Sequence, residues 1–456
     1  MANPLVNTAA AAVPINPMRW KRLQFSSLRA RVLTGTGANL ISQAVTVGIQ
    51  VFSLPLFLHF WTTEHYGKWL MLSAIPAYFS MSDAGVIPVA ANKITMLHAA
   101  GRPDEADSVF QSALALVLCA IALISVSTGL AFCFVDEALL GSDSRLALWL
   151  MILATLSSLF GGLFDSGFRT YGRYAEGVLL GNGVRIIEFA GTAAGLAIYG
   201  SFSAAAAGMF TGRLVGTLAL ASYCRRQFPA LHWQLGKSSL QELRTLLNPA
   251  AAFMAFPLGN ALSIQAITLM VGGLFGGVAV AIFNTYRTLS RVVIQLTSTL
   301  SLALWADFSR LFGASDGTML RRVYGQGFVL GAAVSLVLSA AMIFAAPSLL
   351  SWWTHGKITF DRPLFLAFAG ATFIGGVWHV PRVLLLSTNC HRRLGWTFLA
   401  LSTLGVGAAW IGARAMGDIG IVLTMLVLEA AMLGVSMWLV RGVLTQADTG
   451  RPTVSH

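Results

Sequence analysis

The chain has 456 residues, of which 56% are hydrophobic and only 11% are charged. Soluble domains carry about 25% charged residues, so this composition excludes a soluble protein and indicates a polytopic membrane protein. The net charge of +12 does not indicate nucleic acid binding. The basic residues cluster in short loops between apolar stretches, where anionic membrane lipids and topology explain them.

The first 36 residues are predicted to form a cytoplasmic tail. Residues 1–17 are small and polar with three prolines, so no cleavable signal peptide is expected. In residues 18–33, basic side chains are interspersed with apolar ones such as Trp20 and Leu23. This pattern predicts an amphipathic helix on the anionic membrane surface, and a solvated basic tail is the alternative.

Twelve apolar stretches are long enough to cross a membrane, which requires about 20 residues each. They lie at residues 37–60, 67–92, 109–134, 145–168, 177–199, 203–223, 249–273, 277–304, 323–346, 363–388, 394–416 and 418–441. We therefore predict an all-α polytopic membrane protein with about twelve transmembrane helices in two six-helix lobes. The N-lobe spans 37–223, the C-lobe spans 249–441, and a cytoplasmic tail follows at 442–456.

The predicted lobes are joined by a cytoplasmic connector at residues 224–248. Ser239 and Glu242 have the spacing of a capping box ahead of several leucines, which predicts an amphipathic helix. We expect that helix to end at Asn248 and Pro249, because proline disrupts a helix interior.

The basic residues also predict the topology. Twenty lie in segments on one side of the spans and five lie on the other, which places both termini in the cytoplasm. The acidic loop at 135–144, with Asp136, Glu137 and Asp143, falls outside. The four cysteines have neither disulfide nor metal-ligand spacing, so they are expected to be free thiols.

Five arginines interrupt the predicted spans, and they are Arg185, Arg213, Arg287, Arg291 and Arg382. Each would cost about 2.5–3.5 kcal/mol at the centre of a bilayer, so none is expected to face lipid. They are expected to point into the protein interior or a water-filled cavity. A cavity with this lining would bind a negatively charged substrate.

Arg287 and Arg291 are the strongest candidates for binding that substrate. Their i, i+4 spacing places them on one face of the eighth span, and Asn284, Tyr286 and Gln295 extend the polar stripe. Paired guanidinium groups bind phosphate through forked hydrogen bonds. A salt bridge between helices, with a buried carboxylate, is the alternative.

The other three arginines have alternatives of their own. Arg185 could be neutralised by Glu188, which lies at i, i+3 on the same helix. Arg213 has no partner nearby in the sequence, which favours a functional role. Arg382 lies in the cytoplasmic third of its span and could extend its side chain to the membrane surface.

Asp83 lies between Pro76 and Pro88 in the second span. Prolines kink helices and free backbone carbonyls, so a carboxylate here is a candidate for ion coupling or gating. The alternative is an ion pair with one of the arginines.

Motifs of soluble enzymes are absent. The sequence contains neither the ATP-binding GxxxxGK[ST] pattern nor HExxH, and no segment outside the spans is long enough for a catalytic domain. We therefore expect no enzymatic activity, no cofactor and no metal. Transport would be driven by an ion gradient, the substrate gradient or a partner.

One segment of the sequence resembles a known family. Its residues are, in order, Tyr66, Gly67, Trp69, Asp83, Gly85 and Asn92. They resemble the bacterial polysaccharide flippase family of the multidrug/oligosaccharidyl-lipid/polysaccharide exporter superfamily, whose MATE-like plan of twelve spans in two lobes this chain shares. Ala84, between Asp83 and Gly85, departs from the Asp-Gly pair of the family.

The resemblance implies a function in the bacterial inner membrane. Family members move undecaprenyl-diphosphate-linked oligosaccharide units to the outer leaflet for O-antigen, capsule or exopolysaccharide, by alternating access of two lobes. The implied partners are that lipid-linked glycan, a polysaccharide polymerase and a chain-length regulator. The diphosphate headgroup carries the negative charge that the five arginines favour.

Three other functions stay open at this stage. A multidrug exporter of the same architecture would favour a net acidic cavity. A membrane-embedded glycan polymerase or ligase would present a large outer loop, whereas the longest predicted one, at 347–362, is short. The third is a non-transporting scaffold in a polysaccharide assembly complex.

Overall fold

The structure is a computed structural model that describes residues 17–134, 141–229, 231–314, 316–388 and 390–449. The predictions for residues 1–16, for Asp136 and Glu137, and for the end of the C-terminal tail lie outside these residues. Every regular element in the described part is helical, which confirms the predicted all-α class.

The N-terminal half contains nine helices within the described residues. They are α1 (Pro17–Phe60), α2 (Thr63–Ala74), α3 (Pro76–Phe79), α4 (Val86–Ala99), α5 (Pro103–Phe134), α6 (Ser142–Ser157), α7 (Phe160–Thr170), α8 (Tyr174–Tyr199) and α9 (Phe202–Gln227). The amphipathic helix predicted at 18–33 and the first predicted span form one continuous helix, α1.

The C-terminal half contains eight helices within the described residues. They are α10 (Leu240–Ala261), α11 (Ile267–Ala303), α12 (Trp305–Gly313), α13 (Gly317–Thr354), α14 (Arg362–Val377), α15 (His379–Ser387), α16 (Arg392–Met416) and α17 (Asp418–Thr449). A short π-helical turn, Leu262–Ala266, joins α10 to α11.

Nine stretches of the described helices are long and apolar enough to cross a membrane. One of them, 254–313, folds back at Gly276, whose φ of +83° is left-handed and interrupts α11. This hairpin crosses the membrane twice, so the nine stretches give ten crossings. The helix α8 and the broken segment α2–α4 each add one, for twelve crossings among the described residues. This agrees with the predicted number.

Large apolar side chains cover much of the surface, as expected for helices that face lipid. Leu123 is 70% exposed, Val329 is 67% exposed and Phe344 is 84% exposed. In water such a surface would be strongly unfavourable, because burial of apolar area is the main driving force of folding.

The second crossing is broken where the sequence contains proline and glycine. Pro76 occupies the first turn of α3, where its missing N–H is tolerated. Gly85 has φ of +73° and precedes α4. Asp83 lies in this break, and its Oδ2 accepts a hydrogen bond from the backbone N–H of Ile87 at 3.3 Å.

Close helix packing depends on glycine. A Cβ added to Gly191 of α8 would overlap the carbonyl of Gly208 in α9, and one added to Gly208 would overlap the carbonyl of Gly191. The four-residue spacing of small residues in α8 and α9 therefore allows these helices to approach closely.

A second glycine contact, the α2–α11 seam, joins the two halves of the chain and consists of Gly67, Met71, Gly272 and Gly277. A Cβ on Gly67 would overlap the backbone of Gly277. One on Gly272 would lie 2.5 Å from the sulfur of Met71. The two helices therefore touch backbone to backbone across the interface.

The connector between the halves is attached to the N-terminal half. Ser239 accepts a hydrogen bond from the N–H of Glu242, as predicted for the capping box, and donates its own N–H to Ser112 of α5 at 2.9 Å. Lys237 donates to Asp104 at 3.0 Å, and this hydrogen bond raises the pKa of the lysine.

The prediction that the connector helix ends at Asn248 and Pro249 is wrong. The helix α10 begins at Leu240 and continues to Ala261, so the connector and the seventh crossing share one helix. A proline removes one helical hydrogen bond, and the surrounding turns and tertiary packing of a long helix can tolerate that loss.

Candidate functional site

Three of the candidate polar residues meet between α8, α9 and α1. Arg213 of α9 forms an ion pair with Glu188 of α8 at 2.5 Å, with both side chains less than one-fifth exposed. Arg185 donates a hydrogen bond to Oγ1 of Thr46 in α1 at 3.0 Å. Glu188 was a possible partner for Arg185, with which it still interacts electrostatically, but its ion pair is with Arg213 on the neighbouring helix.

Arg287 is held by acceptors within its own half of the chain. Its guanidinium donates to the carbonyl of Ile264 at 2.9 Å, to Oγ1 of Thr268 at 2.5 Å and to Oδ1 of Asn284. The group lies over the ring of Phe283 and the residue is only 4% exposed. Arg287 thus stabilises the hairpin across Gly276 and the π-helical turn beside it.

Arg291 and Arg382 share one carboxylate. Glu429 of α17 interacts electrostatically with both arginines. Its Oε2 accepts a hydrogen bond from Nε1 of Trp378 at 2.6 Å. The guanidinium of Arg382 lies over the rings of Trp378 and Phe256, at 5.6 and 5.2 Å from their centroids.

The two arginine groups are connected by a contact between the halves. Nε2 of Gln295 donates to Oε1 of Gln50 at 3.2 Å. Gln50 lies one turn from Thr46 on α1, and Gln295 lies one turn from Arg291 on α11. We call the resulting row the polar band, and it comprises Arg213, Glu188, Arg185, Thr46, Gln50, Gln295, Arg291, Glu429 and Arg382.

A cavity of about 50 Å³ lies at the C-terminal end of this band. It is lined mainly by apolar residues of α16 and α17, together with Ser263, Ser402, Thr424 and Glu429. None of the five arginines is among its lining residues. Four of the five arginines therefore lie in the polar band, which crosses between the two halves of the chain through polar contacts. The cavity does not bring the five arginines together.

The remaining predicted residues lie elsewhere. Tyr66 and Trp69 pack around Phe57 in an aromatic cluster beside the α2–α11 seam, to which Gly67 belongs. Asn92 is exposed on α4. Asp83 is buried at the break before α4 and makes no ion pair with an arginine among the described residues.

Some residues in or beside the polar band were not singled out by the sequence. Gln50 and Thr46 belong to the band and contact other members, and Trp378 lies beside it and donates a hydrogen bond to Glu429. A glutamine within an apolar span is itself a signal, because uncompensated polar groups are costly in lipid. In the described part of the chain, no group of three or more His, Cys, Asp or Glu side chains is placed to bind a metal.

Comparisons with known proteins agree on the architecture. The family model MatE matches residues 257–361. No curated protein sequence matches the chain. An inward-facing multidrug resistance MATE family transporter of the MOP superfamily superposes with a TM-score of 0.72 at 14% identity, over 89% of this chain and 96% of that one.

Two further solved structures have the same architecture. The lipid II flippase MurJ, in an inward closed conformation, gives a TM-score of 0.68 at 9% identity, over 91% of this chain and 90% of that one. The Vibrio cholerae MATE transporter VcmN gives 0.59 at 15% identity, over 92% and 98%. This chain is thus a multi-pass membrane protein with the two-lobed fold of MATE transporters.

Proposed function

We propose that the protein is a flippase for an oligosaccharide linked to a polyprenyl diphosphate, and that it transports this lipid across the bacterial inner membrane for O-antigen, capsule or exopolysaccharide synthesis. The observation that carries the proposal is the charge balance of the polar band. Four arginines lie in it with two carboxylates, Glu188 and Glu429. Membrane interiors strongly disfavour excess charge, so an excess of arginine indicates an anionic substrate.

The band suits a substrate that contacts both lobes. Arg185 and Arg213 belong to the N-lobe, and Arg291 and Arg382 belong to the C-lobe. Among the described residues, the hydrogen bond between Gln50 and Gln295 joins the two groups directly. Separation of the lobes would break this bond, together with the outer contacts that Trp353 and Lys357 make with α1, and would expose arginines on both sides to a diphosphate.

In this proposal Arg287 has a supporting role. Its guanidinium already has three acceptors, so it orients the hairpin that carries Arg291. Asp83 is assigned to gating, because it lies at the break of a crossing and makes hydrogen bonds to the start of α4. With both termini in the cytoplasm, the α2–α11 seam lies on the outer side.

The test is reconstitution of the purified full chain in vesicles with a fluorescent polyprenyl-diphosphate oligosaccharide. Arg291→Gln and Arg382→Gln should each reduce the flipping rate at least about tenfold, since a charge-assisted hydrogen bond contributes on the order of 1.5–3 kcal/mol. Arg310→Gln is the matched control, because Arg310 is exposed and pairs with Asp307. A double variant at 291 and 382 that flips the lipid at the wild-type rate would refute the proposal.

A multidrug exporter is the second candidate, and the C-lobe cavity favours it. The apolar lining with one carboxylate, Glu429, matches the chemistry of a lipophilic organic cation, but the cavity of about 50 Å³ would have to widen to the roughly 300–1,000 Å³ of a ligand pocket to admit one. The same vesicles decide between the two candidates. An exporter would move a cationic dye and lose that activity with Glu429→Gln, whereas a flippase would leave the dye in place.

A further inference from the structure

Glu429 is placed as the counter-ion of two arginines. It interacts electrostatically with Arg291 and Arg382, and its Oε2 is fixed by the N–H of Trp378 at 2.6 Å. Gly375 brings the backbone of α14 close to the carboxylate, since a Cβ there would lie 3.3 Å from Oε2. The carboxylate is therefore held in one position by its surroundings.

The two arginines are near this carboxylate without being bound to it. The ion pairs within the described part of the chain include none between Glu429 and either arginine. Nε of Arg382 is buried and has no hydrogen-bond partner among the described residues. A guanidinium with an unused donor in a buried site retains the capacity to bind an incoming oxygen anion.

The net charge of this group, two arginines and one glutamate, is +1. Bulk membrane phospholipids present a phosphodiester with one negative charge, whereas a lipid diphosphate diester presents two. In a site of net charge +1, a phosphodiester must compete with Glu429 for the arginines, and the second charge of a diphosphate gives it the advantage. Repulsion of the wrong ligand is a common source of specificity.

We propose that Glu429 is a specificity-determining residue that competes with an incoming lipid phosphate for the positive charge of Arg291 and Arg382, so that a diphosphate lipid binds and phospholipids with a single phosphate charge are excluded. This inference rests on the proposed flippase function. It assigns to Glu429 the discrimination between the substrate and the lipid that surrounds the protein in vast excess.

The experiment measures flipping of fluorescent phosphatidylglycerol and of the polyprenyl-diphosphate oligosaccharide by the same vesicles. Wild-type protein should flip phosphatidylglycerol at no more than one-tenth of the rate of the diphosphate lipid. Glu429→Gln should raise phosphatidylglycerol flipping about tenfold, Glu429→Asp should keep it low, and Glu105→Gln is the control, because Glu105 is exposed and pairs with Arg102.

A measurement on the wild-type protein makes the test independent of whether the variants fold. Phosphatidylglycerol in hundredfold excess should slow diphosphate-lipid flipping less than twofold, and strong inhibition would overturn the inference. A wild-type protein that flips the diphosphate lipid, with phosphatidylglycerol flipping unchanged by Glu429→Gln, would also overturn it. If the wild type does not flip the diphosphate lipid but Glu429→Gln flips phosphatidylglycerol, the flippase proposal fails and the role of Glu429 stands.

Discussion

Buried arginines are tolerated in this protein through different kinds of partner. Arg213 has a carboxylate, Glu188, on the neighbouring helix. Arg287 has a backbone carbonyl, a hydroxyl and an amide oxygen, together with the face of Phe283. A neutral set of acceptors compensates for lost hydration but leaves the positive charge in place.

The ion pair between Arg213 and Glu188 is expected to stabilise the N-lobe. Glu188→Leu leaves Arg213 buried without a counter-charge, and loss of one partner of such a pair costs about 3–5 kcal/mol. We expect a clear drop in the thermal unfolding temperature of the detergent-solubilised protein. The double variant Glu188→Leu with Arg213→Leu should recover most of that loss, because no unpaired charge remains.

The exposed pair of Glu105 and Arg102 provides the comparison for this prediction. Its side chains are more than half exposed, and exposed pairs contribute at most about 1 kcal/mol. Glu105→Leu should therefore leave the unfolding temperature nearly unchanged. Equal effects of the two single variants would show that the buried pair is not a source of stability.

The sequence identified the interior arginines but could not identify all of their partners. Hydropathy shows that a charge lies within a span, and helical spacing shows which residues share one face. It offered Glu188 as a possible partner of Arg185, because the two are close on the same helix. The ion pair to Arg213 depends on how α8 packs against α9, and spacing along one helix contains no information on that packing.

At the scale of elements, glycine determines how closely the helices approach. Gly191 and Gly208 bring α8 against α9, while Gly67 and Gly277 bring α2 against α11. The first contact lies within one lobe, whereas the second joins the two lobes. A larger side chain in the contact between α8 and α9 should lower stability. A larger side chain in the α2–α11 seam should also shift the balance between conformations of the protein.

Gly67→Ala tests the α2–α11 seam. Its Cβ would overlap the carbonyl of Gly277, so the helices must separate, and overpacking of this kind costs about 1–3 kcal/mol. We expect a lower unfolding temperature and greater labelling of a cysteine introduced at Gly277. Gly273→Ala is the matched control on α11, because a Cβ there meets nothing within 4 Å. An equal response of the two variants would show that the seam is not tightly packed.

The element boundaries were predictable where the sequence contains strong local signals. Long apolar stretches gave the crossings, and Pro76 and Gly85 mark the break in the second one. The connector helix was misjudged at Pro249, because tertiary packing outweighs a local preference against proline. The break at Gly276 was predictable too, because the seventh apolar stretch ends at 273 and the eighth begins at 277.

At the scale of the whole molecule, the lobes are closed at the end that we assign to the outer side. Nε1 of Trp353 in α13 donates to the carbonyl of Val51 in α1 at 2.7 Å, and Lys357 donates to the carbonyl of Leu58. These contacts must break if the lobes open outward, as the proposed alternating access requires.

A disulfide across the α2–α11 seam should therefore stop transport. A Cβ on Gly277 would lie 2.8 Å from the carbonyl oxygen of Glu64 and 3.4 Å from its Cγ. A disulfide requires about 3.5–4.5 Å between Cβ atoms, and the nearness of Glu64 Cγ places positions 64 and 277 within reach of that distance. Glu64→Cys with Gly277→Cys should therefore oxidise once a small shift of the helices relieves the contact with the carbonyl oxygen. The measurement uses a chain whose four native cysteines are replaced by serine. On oxidation the two introduced cysteines should lose their reactive thiols, and flipping of the diphosphate lipid should stop. Flipping should return when a reductant breaks the disulfide.

Glu64→Cys with Gly273→Cys is the control for this cross-link, because Gly273 does not contact α2. That pair should keep its free thiols and its transport rate under the same oxidant. If the pair at 64 and 277 is cross-linked but still transports the lipid at the wild-type rate, the seam is not part of the outward opening. The lobes would then have to separate elsewhere, for example along α1, where Trp353 and Lys357 donate hydrogen bonds to backbone carbonyls.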